Sequence, residues 1–495
     1  MDPAKLKQKV MKTDNPIPWT TQEILDATSG DLLCGNRGHS FDGVSIDSRN
    51  LSPRDFFFAI IGESHDGHGF ASAAVEQGVG GLVINRQMAE KLPVAAWRAK
   101  DVACIAVADT TRALGDLAAF NRRRANVSVA AITGSNGKTT TRKFTAGVVA
   151  RQFNMLASAG NFNNEIGLPL TLLGLSADHQ WAVVELGTNN PGEIANLTAI
   201  CSPDIGVITN IGPAHLEGLG SLEGVMREKG DLIKGLGQNG QAVLNADDPR
   251  VLQLARESQH EVLLYGRSQD ATIRAEEIKE DVQTSSFWLI LGQERIAVQL
   301  NSPGQYMISN ALAAAAVGYL LGIPAAMVKA GLESFKPVAG RMNIHHLPNG
   351  IQIIDDTYNA NPDSMTAALA TFNQMRTGGR KIFVAGDMFE LGIQAPELHS
   401  QVGALAARTK IDRLYASGEH AALVIAGAQK EGMPAANTIT GSRDEILEDL
   451  KGWLQSGDWV LVKGSRGMAM EKVVEGLKAW AEKSQNLTST RANIK

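Results

Sequence analysis

Short apolar runs recur along the chain, separated by segments with helical periodicity or glycine turns. They predict buried strands at residues 127–132, 181–185, 204–210, 351–354, 381–385, 413–416 and 459–462. Alternation of this kind is typical of α/β folds, in which helices connect parallel strands. We therefore predict an α/β protein built on parallel sheets.

Two changes in this pattern predict domain boundaries. A run of three arginines at 122–124 precedes an abrupt apolar strand, and a helical pattern stops at the proline and glycine of residues 335–340. The chain has 495 residues, whereas domains usually hold about 100–200 residues. We predict three domains, at residues 1–126, 127–338 and 339–495.

Composition narrows the class of protein. Hydrophobic residues make up 44%, charged residues 20%, and the net charge is −5, which is the balance of a globular chain without a nucleic-acid partner. Residues 296–328 carry no charge, but Gly322 and Pro324 interrupt them. We interpret residues 308–321 as a buried, alanine-rich helix, and we expect no membrane insertion.

The three cysteines are far apart in the sequence and form no CxxC motif. This spacing argues against a disulfide framework or a zinc site. Reduced cysteines are typical of the cytosol, and we expect a cytoplasmic protein.

The strongest functional signal is a glycine-rich loop between a predicted strand and a predicted helix. Glycines let the backbone approach an anion, the helix N-terminus directs N–H groups at phosphate, and the lysine reaches the β/γ oxygens. The candidate ATP ligands in this loop are Gly134, Ser135, Asn136, Gly137, Lys138, Thr139 and Thr140. Only two residues separate the two glycines, fewer than in the general phosphate-loop pattern, and a simple glycine–lysine turn is the alternative.

Polar residues end or follow two further strands. Glu185 ends one strand, and His215 follows another. Ligands bind at the carboxyl ends of parallel strands, so both residues are candidates for a metal held beside the nucleotide, together with Thr139. Mg²⁺ prefers oxygen ligands and retains water. A solvated carboxylate and a surface histidine are the alternatives.

Ordered motifs from about residue 44 to residue 475 carry a family resemblance. They include DSR at 47–49, DGH at 66–68, GNFNNEIG at 160–167, HLE at 215–217, DDTYNANPDSM at 355–365, GDMFELG at 386–392 and KGSR at 463–466. With the loop at 134–140, these motifs resemble the ATP-dependent Mur ligases of peptidoglycan synthesis. The YNANP segment at 358–362 is most similar to the branch that adds D-alanyl-D-alanine to UDP-N-acetylmuramoyl-tripeptide.

The resemblance implies a three-domain architecture and a reaction. An N-terminal α/β domain holds the UDP moiety, a central parallel sheet with a P-loop binds ATP and Mg²⁺, and a C-terminal Rossmann-like domain brings the amine. ATP phosphorylates the tripeptide carboxylate, and the amine of D-alanyl-D-alanine attacks the acyl phosphate. The expected partners are these two small-molecule substrates, and the expected state is a monomer.

Residue roles follow from the resemblance by position. Lys138, Glu185, His215 and Lys229 are the expected catalytic residues, and Lys229 aligns with a lysine that the family carbamylates. Further nucleotide contacts are expected from Asn310, Arg341 and Asp356. The expected substrate contacts are Ser48, Arg49, Asp66, His68, Asn161, Asn163, Asn164, Tyr358, Asn359 and Asn361.

Several alternatives stay open at this stage. Without the family resemblance, Lys229 would be interpreted as an ordinary surface lysine beside Glu228, and Arg341 would be interpreted as a linker arginine that forms surface hydrogen bonds. Near Asn310, Tyr306 and Met307 stand where the family usually has His and Asn, so stacking on Tyr306 is the hypothesis for adenine recognition. A sister ligase such as folylpolyglutamate synthase and a catalytically inactive regulator are the competing functions.

Overall fold

Three separate main sheets organise the chain, in sequence order. The computed structural model describes residues 17–62, 65–375 and 378–492. One main sheet lies within residues 31–107, the next within 128–300 and the last within 343–463. Each sheet falls inside one of the three ranges predicted from the sequence.

The first sheet has five strands in the order β2-β7-β6-β5-β4, and β1 and β3 form a separate antiparallel pair. The strands β7, β6, β5 and β4 run parallel, and β2 is an antiparallel edge. The elements of this region are β1 (Trp19–Thr20), α1 (Thr21–Thr28), β2 (Asp31–Cys34), β3 (Ser40–Phe41), β4 (Gly43–Ser45), β5 (Asp55–Phe58), α2 (Ala71–Glu76), β6 (Gly81–Asn85), α3 (Val94–Ala99), β7 (Ala103–Val107) and α4 (Thr110–Ala125).

The central sheet has nine strands in the order β16-β15-β14-β13-β12-β11-β8-β10-β9. Its elements are β8 (Ser128–Thr133), α5 (Lys138–Val149), β9 (Met155–Ala157), α6 (Gly167–Leu173), β10 (Trp181–Glu185), α7 (Glu193–Cys201), β11 (Ile205–Ile208), α8 (Leu216–Leu219), α9 (Leu222–Lys234), β12 (Gln241–Asn245), α10 (Pro249–Glu257), β13 (Glu261–Gly266), β14 (Ile273–Glu280), β15 (Ser285–Leu291), β16 (Glu294–Leu300), α11 (Gln305–Leu320) and α12 (Ala325–Glu333). The sheet is mixed, because β14, β15 and β16 form an antiparallel meander at one edge. The predicted parallel arrangement is therefore correct for the neighbouring strands from β9 to β14, and the antiparallel edge is an addition to it.

The third sheet has the order β17-β18-β22-β19-β20-β21. All neighbours are parallel except β17, which is an antiparallel edge. Its elements are β17 (Asn343–His346), β18 (Gln352–Asp356), α13 (Pro362–Gln374), β19 (Lys381–Gly386), α14 (Ala395–Arg408), β20 (Arg413–Ser417), α15 (Ala421–Lys430), β21 (Thr438–Thr440), α16 (Arg443–Trp453), β22 (Trp459–Lys463) and α17 (Glu471–Ala492).

The uncharged stretch forms the buried helix that the sequence predicts. Most side chains of α11 are buried, including an unbroken alanine run at residues 313–316. Small side chains let α11 pack closely against α5 and the inner face of the central sheet. Within the described ranges, every helix is too short or too polar to traverse a bilayer.

Two of the three cysteines meet in the first sheet, which their sequence spacing did not indicate. Cys34 on β2 lies directly opposite Cys104 on β7, and both are free thiols. Burial raises the pKa of the Cys104 thiol to about 12, so this thiol stays protonated near neutral pH.

Candidate active site at the phosphate loop

The glycine-rich loop connects the end of β8 to the first turn of α5, as predicted. Gly134 has φ +148° and Gly137 has φ +82°. A Cβ on Gly134 would lie 1.8 Å from Thr209 Oγ1, and a Cβ on Gly137 would lie 2.3 Å from Asn310 Oδ1. Backbone angle and close packing therefore both require glycine at these two positions.

Polar contacts to the strand β11 region hold the loop in place. The Ser135 hydroxyl donates to the carbonyl of Gly212 and accepts from its N–H. The N–H of Asn136 donates to Asn210 Oδ1 at 2.8 Å, and the Thr209 hydroxyl donates to the Asn136 carbonyl. These bonds shape the loop independently of any ligand.

Lys138 is the first residue of α5, and its ammonium donates to the Gly134 carbonyl at 2.8 Å. Burial lowers the pKa of Lys138, Glu185 nearby opposes this shift, and Arg341 adds to it. A partly buried cation at a helix N-terminus favours an anionic ligand. Thr139 and Thr140, the next two residues, are buried.

Strand order brings the predicted carboxylate to the loop. In register, Glu185 at the end of β10 pairs with Ile132 on β8. Glu185 is only 3% exposed, and it accepts from Asn163 Nδ2 at 2.9 Å and from Arg142 Nε at 3.4 Å. The position of Glu185 beside the phosphate loop therefore agrees with the prediction. The alternative, a solvent-exposed carboxylate at a strand end, does not agree with its burial.

Arg142 on α5 is a buried cation that lies outside the motifs described above. Its guanidinium donates to the carbonyls of Ser158 and Gly160, as well as to Glu185. It thus ties the asparagine-rich segment 160–164 to the phosphate-loop helix. Within that segment Asn164 Oδ1 accepts from Gly167 N–H at the start of α6, and Asn161 is exposed.

Lys229 lies on α9 and is 1% exposed, so the surface-lysine interpretation is wrong. Burial and the nearby Lys138 charge hold the pKa of Lys229 well below the usual lysine range, although Glu228 opposes them. The Glu228 carboxylate is engaged elsewhere, since it accepts from the N–H groups of Gly192 and Ile194 near the start of α7. Lys229 therefore provides an amine that is easily neutralised.

The C-terminal region reaches the phosphate loop at two points. Arg341 Nη2 donates to the Thr139 hydroxyl at 3.2 Å, and Asn361 Nδ2 donates to Asn136 Oδ1 at 2.9 Å. The Arg341 guanidinium also lies 4.0 Å from the centre of the Tyr358 ring. These contacts join residues about two hundred positions apart in the sequence.

The other expected nucleotide residues have partners within the protein. Asn310 Oδ1 accepts from the Thr141 hydroxyl at 3.1 Å, directly behind Gly137. Asp356 at the end of β18 forms an ion pair with Lys463 at 2.6 Å. The Tyr306 hydroxyl is buried and lacks a hydrogen-bond partner among the described residues. Asn310 therefore has a clear packing role, and its contact with adenine stays a prediction.

Two expected substrate residues follow β18. Asn359 is exposed, and its side chain accepts from the N–H of Ala360. Asn361 begins α13, because its Oδ1 accepts from Ser364 N–H. With its amide also bonded to Asn136, Asn361 links the two domains. Contact of Asn359 or Asn361 with a substrate stays a prediction.

His215 lies after β11 and contacts the C-terminal region. Its Nδ1 lies 2.5 Å from Glu390 Oε2. The hydrogen bond from His215, more than the opposing effect of burial, lowers the pKa of Glu390. No sequence signal connects these two residues, which are 175 positions apart.

The expected UDP-site residues lie in two turns of the N-terminal sheet. Arg49 is exposed and pairs with Asp47 at 2.8 Å, and Ser48 lies between them, half-buried. Asp66 Oδ1 lies 2.6 Å from Nδ1 of His68, whose Nε2 accepts from Asn85 N–H. The His68 side chain is 1% exposed and both ring nitrogens are bonded, so His68 supports this turn, and its contact with a ligand stays a prediction.

The donor set around the loop fits a magnesium ion that arrives with a nucleotide. No group of three histidine, cysteine or acidic side chains gathers into a metal cluster within the described part of the chain. Thr139 and Glu185 would supply oxygen ligands to this ion, and phosphate oxygens would complete the ligand set. His215 is the expected ligand of a second cation. A buried carboxylate facing the Lys138 side of the loop is consistent with this arrangement.

The fold and the loop together define a class. A glycine-rich loop joins a strand to a helix whose first residues are a lysine and two buried threonines, and its strand, β8, lies between β10 and β11. This arrangement is that of a P-loop nucleotide-binding protein. Two further α/β domains flank it, and the C-terminal one contacts the loop directly.

Comparison with known proteins identifies the family. Three models match in order: the Mur ligase family catalytic domain at residues 40–122, the Mur ligase middle domain at 132–318 and the Mur ligase glutamate ligase domain at 340–466. The chain belongs to the Mur ligase family.

Individual relatives are similar over nearly their whole length. The UDP-N-acetylmuramoyl-tripeptide--D-alanyl-D-alanine ligase of Escherichia coli (strain K12) is 36% identical, over 92% of this chain and 98% of its own. A crystal structure of MurF from Acinetobacter baumannii superposes with a TM-score of 0.85 at 31% identity, covering 94% of this chain and 100% of that one. MurF ligase from Thermotoga maritima in complex with ADP gives a TM-score of 0.79 at 27% identity, with 89% and 98% covered.

Proposed function

We propose that this chain joins D-alanyl-D-alanine to UDP-N-acetylmuramoyl-tripeptide at the expense of ATP. The named activity of relatives that share more than a third of their residues across both full chains supports this assignment. The observation that carries it is the contact of the C-terminal domain with the phosphate loop, through Arg341 on Thr139 and Asn361 on Asn136. Such contacts bring an amine-binding domain to the place where a phosphoryl group is transferred.

The reaction has two steps. The tripeptide carboxylate attacks the γ-phosphorus of ATP, an O–P bond forms, and ADP leaves. The amine of D-alanyl-D-alanine then attacks the carbonyl carbon, phosphate leaves as the amide forms, and the amine loses a proton. Phosphorylation is needed because a carboxylate is a poor electrophile.

The loop residues hold and neutralise the phosphates. The N–H groups of residues 134–140 and the Lys138 ammonium bind the β- and γ-phosphates, while Thr139 and Glu185 hold Mg²⁺ with the nucleotide. The ion would screen charge on the transferring phosphoryl oxygens. Arg341, already on Thr139, adds a cation on the C-terminal side. Asn310 and Asp356 are assigned to the adenosine of ATP.

Lys229 is assigned a carbamate. Its neutral amine attacks CO₂, an N–C bond forms and one proton is released, which converts the neutral amine into an anion. The deep burial of Lys229 and its lowered pKa favour the neutral amine that this step requires. His215 and the carbamate would hold a second cation, which would screen negative charge on the phosphoryl group when bound.

The two substrates are assigned to opposite sides of the loop. The exposed Arg49, with Ser48 and Asp66, is assigned to the UDP moiety in the N-terminal domain. The segment 161–164 borders the tripeptide carboxylate through Asn163, which bonds Glu185. Tyr358 and Asn359 are assigned to D-alanyl-D-alanine. We place the reaction in the cytoplasm, where the nucleotide substrates are made.

The decisive experiment measures ADP release by the full chain with MgATP. We expect release only when the UDP-linked tripeptide and D-alanyl-D-alanine are both present, with one amide formed per ADP. Release supported by a folate and glutamate would favour a sister ligase instead. Release with neither acceptor would contradict a ligase of this kind.

A further inference from the structure

A loop of the C-terminal domain contacts the central domain at His215. We define this loop as residues 387–392, which follow β19. Glu390 supplies two bonds: its Oε2 lies 2.5 Å from His215 Nδ1, and its carbonyl accepts from Glu217 N–H at 3.0 Å. A Cβ on Gly392 would lie 3.4 Å from Glu217 Cα, so the two backbones are in close contact.

The backbone is unusual on both sides of this contact. His215 has φ +56° and Glu390 has φ +63°, and neither is a glycine. A left-handed conformation is unfavourable for residues other than glycine, and it persists where surrounding contacts impose it, often at functional sites. Two such residues bonded to each other indicate that the position of the Glu390 carboxylate on the imidazole is closely determined.

The C-terminal domain itself fixes the base of the 387–392 loop. The buried Asp387 carboxylate accepts from Glu419 N–H at 2.6 Å. The N–H of Met388 donates to His399 Nε2, and the N–H of Phe389 donates to the Ser465 hydroxyl. Glu390 is therefore presented by a loop that is braced at three preceding residues, independently of His215.

The carboxylate determines which imidazole nitrogen carries the proton. An acceptor at Nδ1 stabilises the Nδ1–H tautomer, which leaves the lone pair of Nε2 available. Histidines that bind metals usually donate their other N–H to a carboxylate, and loss of that partner typically weakens metal binding about 10- to 100-fold. The Glu390–His215 pair has this arrangement, and the carboxylate comes from a different domain.

We propose that Glu390 is a positioning residue that makes His215 ready to bind a divalent cation only when the C-terminal domain is docked on the central domain. The proposal rests on the proposed function for the identity of the reaction. It adds that docking of the amine-bringing domain completes one end of the metal site. Phosphoryl transfer and amine delivery are then coupled through one hydrogen bond.

The test uses the full chain and three variants. Glu390→Ala removes the acceptor, Glu390→Gln keeps the length and an oxygen that can accept from Nδ1–H, and Glu397→Ala is the control. Glu397 is an exposed carboxylate in the first turn of α14, on the same domain. Matching melting curves for all four proteins ensure that fold and domain packing are retained.

The first readout is the His215 tautomer in metal-free protein, from imidazole ¹⁵N shifts assigned with His215→Gln. We expect Nδ1–H in wild type, in Glu390→Gln and in Glu397→Ala, and the mixture of a solvated imidazole in Glu390→Ala. The second readout is Mn²⁺ affinity in the presence of ADP by electron paramagnetic resonance. We expect it to fall about tenfold or more in Glu390→Ala, less in Glu390→Gln, and not in Glu397→Ala.

Each result decides the proposal. Wild-type tautomer and Mn²⁺ affinity in Glu390→Ala would overturn it, and so would a loss of affinity without a tautomer change, which indicates only a docking contact. If melting shows that Glu390→Ala is unfolded, Glu390→Met, which keeps the bulk of the side chain and removes the acceptor, decides through the same two readouts with the results expected for Glu390→Ala. Neither readout requires the amide-forming reaction. A wild-type chain that fails to join the substrates would therefore overturn the proposed function, and the two readouts would still test the role of Glu390.

Discussion

Two regions of the molecule hold their functional polar residues in different ways. Around the phosphate loop, partners come from distant parts of the sequence: Arg341 bonds Thr139 across 202 positions and Asn361 bonds Asn136 across 225. In the N-terminal domain, partners are two positions apart: Asp47 with Arg49, and Asp66 with His68. The first region is built by tertiary structure and the second by local turns.

The difference has a physical consequence. Catalysis requires groups to be held in fixed geometry before the reaction, and buried, mutually bonded side chains provide this. Binding of a substrate moiety away from the reacting atoms requires only an accessible, correctly charged surface. The buried phosphate-loop region and the exposed Arg49 turn fit these two requirements. Substitutions should therefore affect turnover in the first region and substrate affinity in the second.

The largest effect is expected for Lys138→Ala. The partly buried ammonium is at the start of α5, and its loss removes the cation that neutralises the transferring phosphate. We expect kcat for ADP release to fall about 10³-fold. The control is Lys143→Ala, which removes an exposed lysine from the same helix. Equal turnover in the two variants would contradict the assignment of the loop.

The second-largest effect is expected for Lys229→Ala. We expect kcat to fall about 10²-fold, with a smaller change in KM for ATP. A labile mass increment on the Lys229 peptide, present with bicarbonate and absent without it, would identify the carbamate. Wild-type turnover in Lys229→Ala would reject a catalytic role for this lysine, whatever its modification state.

The lowered pKa of Lys229 also predicts a pH dependence of stability. Between the lowered pKa of the folded chain and the usual lysine pKa of about 10.4 in the unfolded chain, unfolding takes up a proton. The free energy of unfolding should therefore rise with pH across this window. Denaturant titrations of wild type and Lys229→Met in CO₂-free buffer test the sign of this effect. The free energy of unfolding of wild type, relative to that of Lys229→Met, should increase as pH rises. A constant difference would contradict the lowered pKa.

Arg142→Met should chiefly reduce stability. Arg142 is buried and bonds Glu185 and two loop carbonyls, so its removal leaves one buried charge and two acceptors without partners. We expect a loss of about 3 kcal/mol in the free energy of unfolding, measured by urea titration. Lys143→Met, next along α5, should change it by less than about 0.5 kcal/mol. Similar losses in both variants would indicate a general effect on the helix.

The sequence predicts the two regions unequally well. The sequence predicts the ends of two strands, at Ile132 and Glu185, because apolar runs mark the strands, and it predicts the phosphate loop because glycines mark it. Parallel topology then brings the two strand ends together. The sequence does not predict the bonds that site residues form with Arg142, Glu390 and Lys463, because these bonds depend on tertiary packing. A histidine in a polar turn, such as His68, gives no sign in the sequence that both of its ring nitrogens are bonded within the protein. The antiparallel edge β14–β16 was missed for a related reason: alternating strands carry a weaker apolar signal than buried parallel ones.

The smallest change is expected for Arg49→Ala, and it tests the N-terminal half of the comparison. The Arg49–Asp47 pair is solvent-exposed on the arginine side and separated by 2.8 Å. Its loss should leave the urea midpoint unchanged, because exposed ion pairs contribute little. If Arg49 holds the diphosphate, KM for the UDP-linked tripeptide should rise about tenfold with kcat nearly constant. Arg54 offers a matched control, since it forms an exposed pair with Asp42 in the same domain at the same 2.8 Å. An equal KM in Arg49→Ala and Arg54→Ala would show that the turn at 47–49 is only a local ion pair, and the UDP moiety would then have to be placed elsewhere on the N-terminal sheet.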